Sequence, residues 1–474
     1  MRYITAIATV LLLALSAMAQ HELTPDGLFR AIEENHPLFQ RTTYGPQIIE
    51  KEKAALRASE DMNLSSSFEI GHQPQTSSMS SLKNTTGVTL SGSASRMYWS
   101  TGGVLTAGAE LGSSWMSYED SPTTASLDNN SFENSIYVTY LQPLMKNYKG
   151  TLNRIPREMK DIEIDVDALQ SAEEKENLLA SNMDSYLYWV YYIEIDEILE
   201  NRLALSRESL ERNLDKRRSN LIDEVDIVRN RASVKSTELA IQSNKMQMDA
   251  LLAGLARTTG VENISEMTPV FALHEMPELP PLEDILTDFS ENSRTLGQLR
   301  KSIEQIEYTR LIYEEQLKDD LSAFGRAGLT EADPNFGKAL LIHKPEIAIG
   351  LTWEFSREKT DIRNNLEALS LSIEQLEKQI DETELAIESS IRSIYSQLVA
   401  LQGVLATIEE QYELAKEQTA EEIKLYEMGR SDYSYVIQSQ DSEESIRQSY
   451  AQNALTWHRL RQNLLSLTDS MYRP

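Results

Sequence analysis

LFRAIEEN at residues 28–35 and ILTDFSEN at residues 285–292 begin two copies of one plan in this chain. Each copy continues through strand-like sequence into a very long amphipathic helix and then into a shorter return helix. Repeat units of this kind bury their apolar faces mainly against one another, so the duplication predicts a built object such as a tube or bundle. We divide the chain into repeat 1 at residues 20–260, a connecting segment at 261–281 and repeat 2 at 282–474.

The long helix of repeat 2 carries the clearest periodicity. Its apolar positions are spaced almost throughout by three and four residues, which is the seam of a coiled coil. The series is Leu366, Leu369, Ile373, Leu376, Ile380, Thr383, Ile387, Ile391, Ile394, Leu398, Leu401, Leu405, Ile408 and Tyr412. The four–four step at Thr383, Ile387 and Ile391 locally unwinds a left-handed supercoil. No proline occurs between Asp361 and Met428, so a helix rising about 1.5 Å per residue reaches roughly 100 Å.

The other helices repeat the same proportions. Repeat 1 has neither proline nor glycine between Arg157 and Ser219, where its own long helix is expected. The predicted return helices are residues 222–257 and 433–467, and the predicted opening helices are residues 25–60 and 282–318. Two short helices stacked end to end would have about the length of one long helix. These proportions predict a layered cylinder built from long and half-length helices.

Between the helices, apolar and polar residues alternate with the period of a β-strand whose two faces differ. The predicted strands are residues 64–70, 105–111, 136–140, 321–329 and 347–355. The first repeat is longer than the second in this region, and its surplus around residues 86–117 is typical of an additional hairpin. The sequence leaves open whether this hairpin joins a sheet wall or forms a separate flap.

Strands of about ten residues with this alternation favour the wall of a transmembrane β-barrel with an aromatic girdle, and a one-sided soluble sheet is the alternative. The girdle candidates are Trp99, Trp115, Tyr118, Tyr137, Tyr140 and Trp353. A closed outer-membrane barrel needs at least about eight strands, more than the roughly four to six predicted for one chain. A barrel would therefore require several chains.

The first residues have the pattern of a secretory signal peptide. Met1 and Arg2 precede an apolar run from Ile4 to Leu15, and Ala17-Met18-Ala19 supplies the small residues that a signal peptidase reads. We expect residues 1–19 to be removed, and a buried N-terminal core helix is the alternative. No later stretch approaches the roughly 20 apolar residues of a transmembrane helix.

The composition excludes several classes of function. The chain has no cysteine, which excludes disulfides, thiolate catalysis, cysteine-based zinc sites and lipid modification of a cysteine. Its 45 Lys and Arg against 74 Asp and Glu give a net charge of -29, which argues against a nucleic-acid partner. A solvated acidic surface and an interior field that favours cations both fit this charge.

The sequence displays no catalytic constellation. Its six histidines never fall within a metal-ligand spacing of one another, and it has neither a glycine-rich phosphate loop nor a nucleophile elbow. We therefore expect no enzymatic activity, no cofactor and no metal site.

The order of the elements resembles the TolC-like outer membrane efflux protein family, the outer membrane factors, over nearly the whole mature chain. The similarity is carried by LFRAIEENHP at 28–37, LQPL at 141–144, NLI at 220–222 followed by DIV at 226–228, and YEMGRS at 426–431 followed by YVI at 435–437. The resemblance implies a mainly α protein with β-structure, in which three chains share one transmembrane β-barrel that continues as a periplasmic α-helical coiled-coil tunnel.

The same resemblance implies the function and the partners. Such a homotrimer is a passive exit duct of a tripartite efflux or type I secretion system, placed in the outer membrane and extending into the periplasm. Its partners would be outer-membrane lipid, an inner-membrane transporter and a periplasmic adaptor (membrane fusion) protein that opens the duct by engaging the helical tips. A soluble periplasmic coiled-coil scaffold without channel activity is the alternative.

The helical tips hold the candidate site residues. The resemblance places adaptor contacts at Asn220, Leu221, Ile222, Gly429, Arg430 and Ser431. Gly429 is expected to form a left-handed helix cap, a role that Asn220 can fill in repeat 1.

Asp226, Tyr435 and Gln438 mark a possible gate region next to these tips. Some members of the family narrow the tunnel with acidic residues of the second repeat. Here Tyr435 stands in that place and Asp226 keeps an acidic residue in repeat 1 only, so the chain departs from a gate made by an acidic ring.

Overall fold

The structure, a computed structural model, describes residues 22–74, 82–118, 124, 128–219 and 223–472. The expected signal peptide at 1–19 lies outside the described residues. The chain divides into two compact units. The helical unit comprises Met1–Tyr44, Ala168–Gln298 and Ile380–Pro474, and the sheet unit comprises Gly45–Asp167 and Leu299–Gln379. Each unit takes segments from both predicted repeats.

The helices are α1 (Pro25–Asn35), α2 (Pro37–Ala55), α3 (Thr151–Arg218), α4 (Glu224–Thr259), α5 (Leu282–Asn292), α6 (Arg294–Leu317), α7 (Phe336–Ala339), α8 (Thr360–Glu427) and α9 (Tyr433–Leu467). The long helices α3 and α8 both have 68 residues, and the return helices α4 and α9 have 36 and 35. The predicted long and return helices are thus confirmed. None of the described helices combines the length and hydropathy of a membrane-spanning segment.

The predicted opening helices are each broken in two. In repeat 1 the break falls at His36, which is extended because Pro37 disfavours helical backbone in the residue before it. In repeat 2 the break falls at Ser293, where no proline is present. There the N–H of Arg294 donates to an Asp469 carboxylate oxygen at 2.7 Å, and the Arg294 guanidinium pairs with the buried Glu176.

The predicted seam of α8 faces the largest core cluster of the helical unit. Ile391, Ile394, Leu398 and Leu405 are buried there around Trp457 of α9. A second cluster joins α1, α3 and α4 around Trp189, and a third joins α3, α4 and α9. The three-and-four spacing of the sequence therefore corresponds to packed helix faces.

Tyr186 of α3 fixes two extended segments to the helices. Its fully buried hydroxyl donates to the carbonyl oxygens of Leu23 at 2.7 Å and Val270 at 3.1 Å. Leu23 belongs to β1 (Glu22–Leu23), which pairs in parallel with β6 (Thr268–Pro269). Burial raises the pKa of the Tyr186 phenol, so the hydroxyl stays protonated and keeps donating at neutral pH.

The sheet unit contains one antiparallel sheet of six strands: β2 (Asn63–Pro74), β3 (Leu82–Met97), β4 (Val104–Tyr118), β5 (Asn130–Pro143), β7 (Asp320–Asp333) and β8 (Lys344–Glu354). Their order in the sheet is β2-β3-β4-β5-β7-β8. All five predicted strands are confirmed. The surplus region 86–117 supplies most of β3 and β4, which lie inside the sheet and do not form a separate flap.

The two faces of the sheet differ in the cross-strand rows near its middle. One row across all six strands is Leu64, Ala94, Ala107, Val138, Ala327 and Ile347, on what we call the apolar face. A row on the opposite, polar face is Ser67, Ser91, Glu110, Ser135, Thr330 and Lys344. Side chains alternate between faces along a strand, so the sequence alternation is a property of the whole sheet.

The aromatic girdle prediction is wrong for three of its members, one of which, Tyr118 at the end of β4, lies on the polar face by strand alternation. Trp99 lies in the turn between β3 and β4, where it is buried and its indole N–H donates to Ser59 Oγ at 2.7 Å. Tyr137 lies on the polar face, with Arg326 stacked 4.2 Å from its ring centroid. Trp115, Tyr140 and Trp353 do lie on the apolar face.

The Tyr186→Phe variant tests the anchor in the helical unit. Removing the hydroxyl takes a donor from the Val270 carbonyl and leaves the Leu23 carbonyl with the Val270 N–H alone. We therefore expect the free energy of unfolding to fall by about 1–3 kcal/mol in urea titrations followed by circular dichroism. Tyr188→Phe is the matched control, because within the described residues its hydroxyl makes no hydrogen bond. Equal stability of the two variants would contradict the anchor.

Candidate functional site at the helical tips

The tip of repeat 2 is built by a left-handed glycine that ends α8. Gly429 has a φ of 67°, and its N–H donates to the carbonyl of Tyr426 at 2.9 Å. The next N–H, of Arg430, reaches back to Leu425 at 2.9 Å, which completes a Schellman motif. The predicted cap at Gly429 is therefore confirmed. Glycine suits this position because a Cβ in the left-handed region costs roughly 1–2 kcal/mol.

The tip residues after the glycine differ in exposure. Arg430 is exposed, and no ion pair of its side chain occurs within the described residues. Ser431 is half-buried, and its hydroxyl donates to a Glu422 carboxylate oxygen at 3.0 Å. Gly429 and Arg430 are therefore exposed to solvent, whereas the Ser431 side chain helps to stabilise the turn.

Asp432 starts the return helix and joins it to the other repeat. As the N-cap of α9, its carboxylate accepts the Ser434 N–H at 2.8 Å. Its second oxygen lies 3.6 Å from the Lys216 ammonium near the end of α3. The hydrogen bond from Ser434 and then the nearby Lys216 hold the pKa of Asp432 below its usual range.

A stacked group of side chains links α3 to the second tip. The Arg212 guanidinium lies 4.2 Å from the ring centroid of Tyr433 and 5.8 Å from that of Tyr426, and the two rings are 5.0 Å apart. Glu208 accepts from Arg212 at 2.5 Å on the same helix. Because Tyr433 is buried, this cation–π contact is partly withdrawn from water and helps to fix the two helical hairpins at their tips.

The tip of repeat 1 is described only at its flanks. Asn220, Leu221 and Ile222 lie outside the described residues, so their predicted roles stay predictions. The Arg217 guanidinium near the end of α3 lies 3.4 Å from the Glu224 carboxylate at the start of α4.

The residues predicted for the gate region do not form one cluster. Asp226 lies in the first turn of α4, where a carboxylate complements the helix dipole, and is 3.3 Å from Arg229. It lines a cleft of about 380 Å³ between the tips, together with Ser209, Asn213, Lys216, Arg229, Asn230, Asp432, Tyr433, Ser434 and Ile437. Tyr435 and Gln438 are exposed and do not line this cleft.

The sequence analysis missed the residues that join the two repeats at this cleft. Arg212, Lys216 and Tyr433 were not singled out, because their contacts connect positions far apart in the chain. Only Asp432 carries a local signal, an acidic residue directly before an amphipathic helix. In the part of the chain that the structure describes, no group of three or more His, Asp or Glu side chains is placed to hold a metal ion.

Comparison with solved structures places the fold with the TolC-like outer membrane channels. The outer membrane protein VceC of Vibrio cholerae is 11% identical at a TM-score of 0.64, over 94% of this chain and 96% of that one. The outer-membrane channel OprN is 12% identical at a TM-score of 0.68, over 95% and 91%. The open state of the MtrE channel of Neisseria gonorrhoeae is 12% identical at a TM-score of 0.61, over 94% and 88%. No family sequence model and no curated protein matches the chain.

The Asp432→Ala variant tests the cap at the second tip. Loss of the acceptor should cost about 1 kcal/mol and raise amide hydrogen exchange at residues 434–436 roughly fivefold. Asp432→Asn keeps an acceptor oxygen and is the matched control.

The cap also has an expected pH dependence. A carboxyl whose pKa is lowered by folding stabilises the fold above its ordinary pKa and loses that contribution as pH falls through the lowered value. Protection at the start of α9, corrected for intrinsic exchange, should therefore be constant from about pH 8 to pH 5 and decline only below about pH 4. Equal exchange in the alanine and asparagine variants, or a decline near neutral pH, would contradict the assignment.

Proposed function

We propose that three copies of this chain form a passive exit duct in the outer membrane. Their sheets together make a transmembrane β-barrel, and their helices form a coiled-coil tunnel that extends into the periplasm. The duct serves a tripartite efflux or type I secretion system, whose inner-membrane transporter supplies the substrate and the energy. The chain itself carries no catalytic activity in this proposal, and the signal peptide at 1–19 directs its export.

The observation that supports the proposal most strongly is the solvent exposure of the apolar face of the sheet. On β8 the side chains of Ile347 and Ile349 are 76% and 86% exposed, and Leu351 and Trp353 are exposed as well. On β2 the apolar residues Leu64, Phe68 and Ile70 are exposed in the same way. A continuous apolar face of this size on a sheet whose other face is polar fits contact with lipid on one side and a water-filled interior on the other.

The soluble scaffold is the competing function, and the same observation weighs against it. A capping sheet in a soluble scaffold would bury its apolar side against helices or against a second sheet, as one-sided antiparallel sheets do. Here rows of apolar residues across six strands stay exposed in the single chain. Lipid provides a cover for them that a soluble monomer lacks.

We further propose that the tips are the place where the adaptor engages. Arg430 and Gly429 are exposed and Ser431 supports their turn, while Asn220, Leu221 and Ile222 are the candidate contacts of repeat 1 on the sequence resemblance alone. The contacts of Lys216 with Asp432 and of Arg212 with Tyr433 tie the two hairpins together at this end. The gate is assigned to the same end, with Asp226, Tyr435 and Gln438 as its candidate residues.

The interior of the proposed duct is acidic in its barrel part. The polar face of the sheet carries Glu69, Glu110, Glu133 and Glu346 against Arg326 and Lys344. Charges of one sign that line a confined aqueous path attract counter-ions. We therefore expect the net charge of -29 to favour the permeation of cations as well as to keep the protein soluble.

Planar-bilayer recording with the purified mature chain tests the duct. We expect single-channel steps, and a reversal potential under a KCl gradient that shows preference for K⁺, because the polar face is acidic. The combined variant Glu69→Gln, Glu110→Gln, Glu133→Gln should reduce this cation preference. Ser67→Asn, on the same face, is the control that leaves the charge unchanged.

The recordings distinguish the proposals clearly. Absence of conductance from chains that have inserted into the bilayer would overturn the duct, and anion preference would overturn the acidic interior.

A further inference from the structure

The two outer strands of the sheet are β2 and β8, and they delimit an open sheet. Within the described residues, β2 pairs only with β3, and β8 pairs only with β7. The two strands have similar lengths, 12 and 11 residues. Each therefore presents a row of backbone N–H and C=O groups along one side, which a strand from another chain can pair with.

The outer hairpin, made of β2 and β3, is constructed like the rest of the sheet. In β2 and β3, Phe68 lies opposite Leu90, and Leu90 lies opposite Leu111 of β4, so the apolar face of the hairpin continues onto β4. On the polar face the hydroxyl groups of Ser65 and Ser93 are 2.8 Å apart. A flap that leaves the sheet to stand in water would need polar residues on both faces, and β2 does not have them.

The two edges are also compatible in direction. Neighbouring strands alternate in direction across the sheet, and the number of strands is even, so β2 and β8 run antiparallel to each other. An antiparallel edge pair therefore forms when identical copies are arranged head to tail around an axis. Pro74 ends β2 and Pro345 lies near the start of β8, so both edges lose a backbone donor at the same end of the sheet.

We propose that β8 of each chain pairs with β2 of the next, so that all six strands belong to the barrel wall. With the three chains of the proposed function, on which this inference rests, the wall has eighteen strands, six from each chain. A wall without the outer hairpin β2–β3 would have twelve. Barrel diameter grows roughly linearly with strand number, so the eighteen-stranded wall is about 1.5 times as wide.

The added strands also set the chemistry of the wider interior. On the polar face, β2 and β3 contribute mainly serine, threonine and glycine, including the hydrogen-bonded pairs Ser65–Ser93 and Ser67–Ser91. Glu69 is the acidic residue that β2 adds to this face. The hairpin therefore enlarges the opening with small hydroxyl-bearing side chains, which occupy little of the lumen.

Disulfide crosslinking distinguishes the two walls, and the absence of native cysteine makes the background clean. On β8, Ala348→Cys or Thr352→Cys is combined with Ser65→Cys or Ser67→Cys on β2, all on the polar face. The matched set combines the same β8 cysteines with Thr106→Cys or Glu110→Cys on β4, which would be the free edge if β2–β3 left the wall. Five strand spacings of about 4.8 Å separate β2 from β8 along one sheet, too far for a disulfide within a chain.

After oxidation, we expect at least one β2–β8 combination to run mainly as a covalent trimer that a reductant returns to monomer. The β4–β8 combinations should stay monomeric under the same denaturing conditions. Crosslinking of β4 with β8 would overturn the eighteen-stranded wall and leave the duct in place. A trimer by mass in mild detergent, with no crosslink in either set, would overturn the pairing of these edges. A monomer by mass would remove the proposed function as well.

Discussion

The exposed apolar face of the six-stranded sheet is the strongest physical constraint on how this chain can exist in water. Apolar side chains line up across the strands, and those of Ile347, Ile349, Leu351 and Trp353 on β8 are 66–86% exposed. Each Å² of apolar surface left in water costs about 25 cal/mol, so a face of this extent requires a cover. In the proposed duct, lipid covers the apolar face and water fills the space along the polar face. The unpaired edges fit the same proposal, because β2 and β8 expose backbone groups that strands of other chains can pair with.

In the helical unit, the packing holds the long helices in register. Three core clusters pack the seams of α3 and α8 against the return helices, and Tyr186 fastens the extended segments of both repeats to α3. The repeats close their junctions by different means. In repeat 1 the Asn35 amide donates to the Thr259 carbonyl at 2.9 Å, beside Gly260. In repeat 2 the buried Arg294 guanidinium forms ion pairs with Glu176 and Asp469. Burial raises the pKa of the Glu176 carboxyl despite the arginine beside it.

Periodicity predicted the elements of this fold well because it reports directly on burial. The α8 seam, the return helix at 433–467 and the alternating strands all appear where apolar spacing placed them. The left-handed cap at Gly429 could be predicted from the local sequence, because only glycine takes that backbone conformation without strain. What periodicity does not encode is pairing between distant positions. The stacking of Arg212 on Tyr433, the break at Ser293 and the turn that buries Trp99 all depend on partners far away in the sequence.

In our proposal, the sheet becomes a lipid-facing wall only when several copies close it. Electron cryomicroscopy of the mature chain in lipid nanodiscs shows whether such a wall forms. We expect a threefold ring whose sheets form one closed wall inside the lipid, with helices that continue beyond the disc. A single chain outside the lipid, with the apolar face of its sheet covered by its own helices, would contradict it.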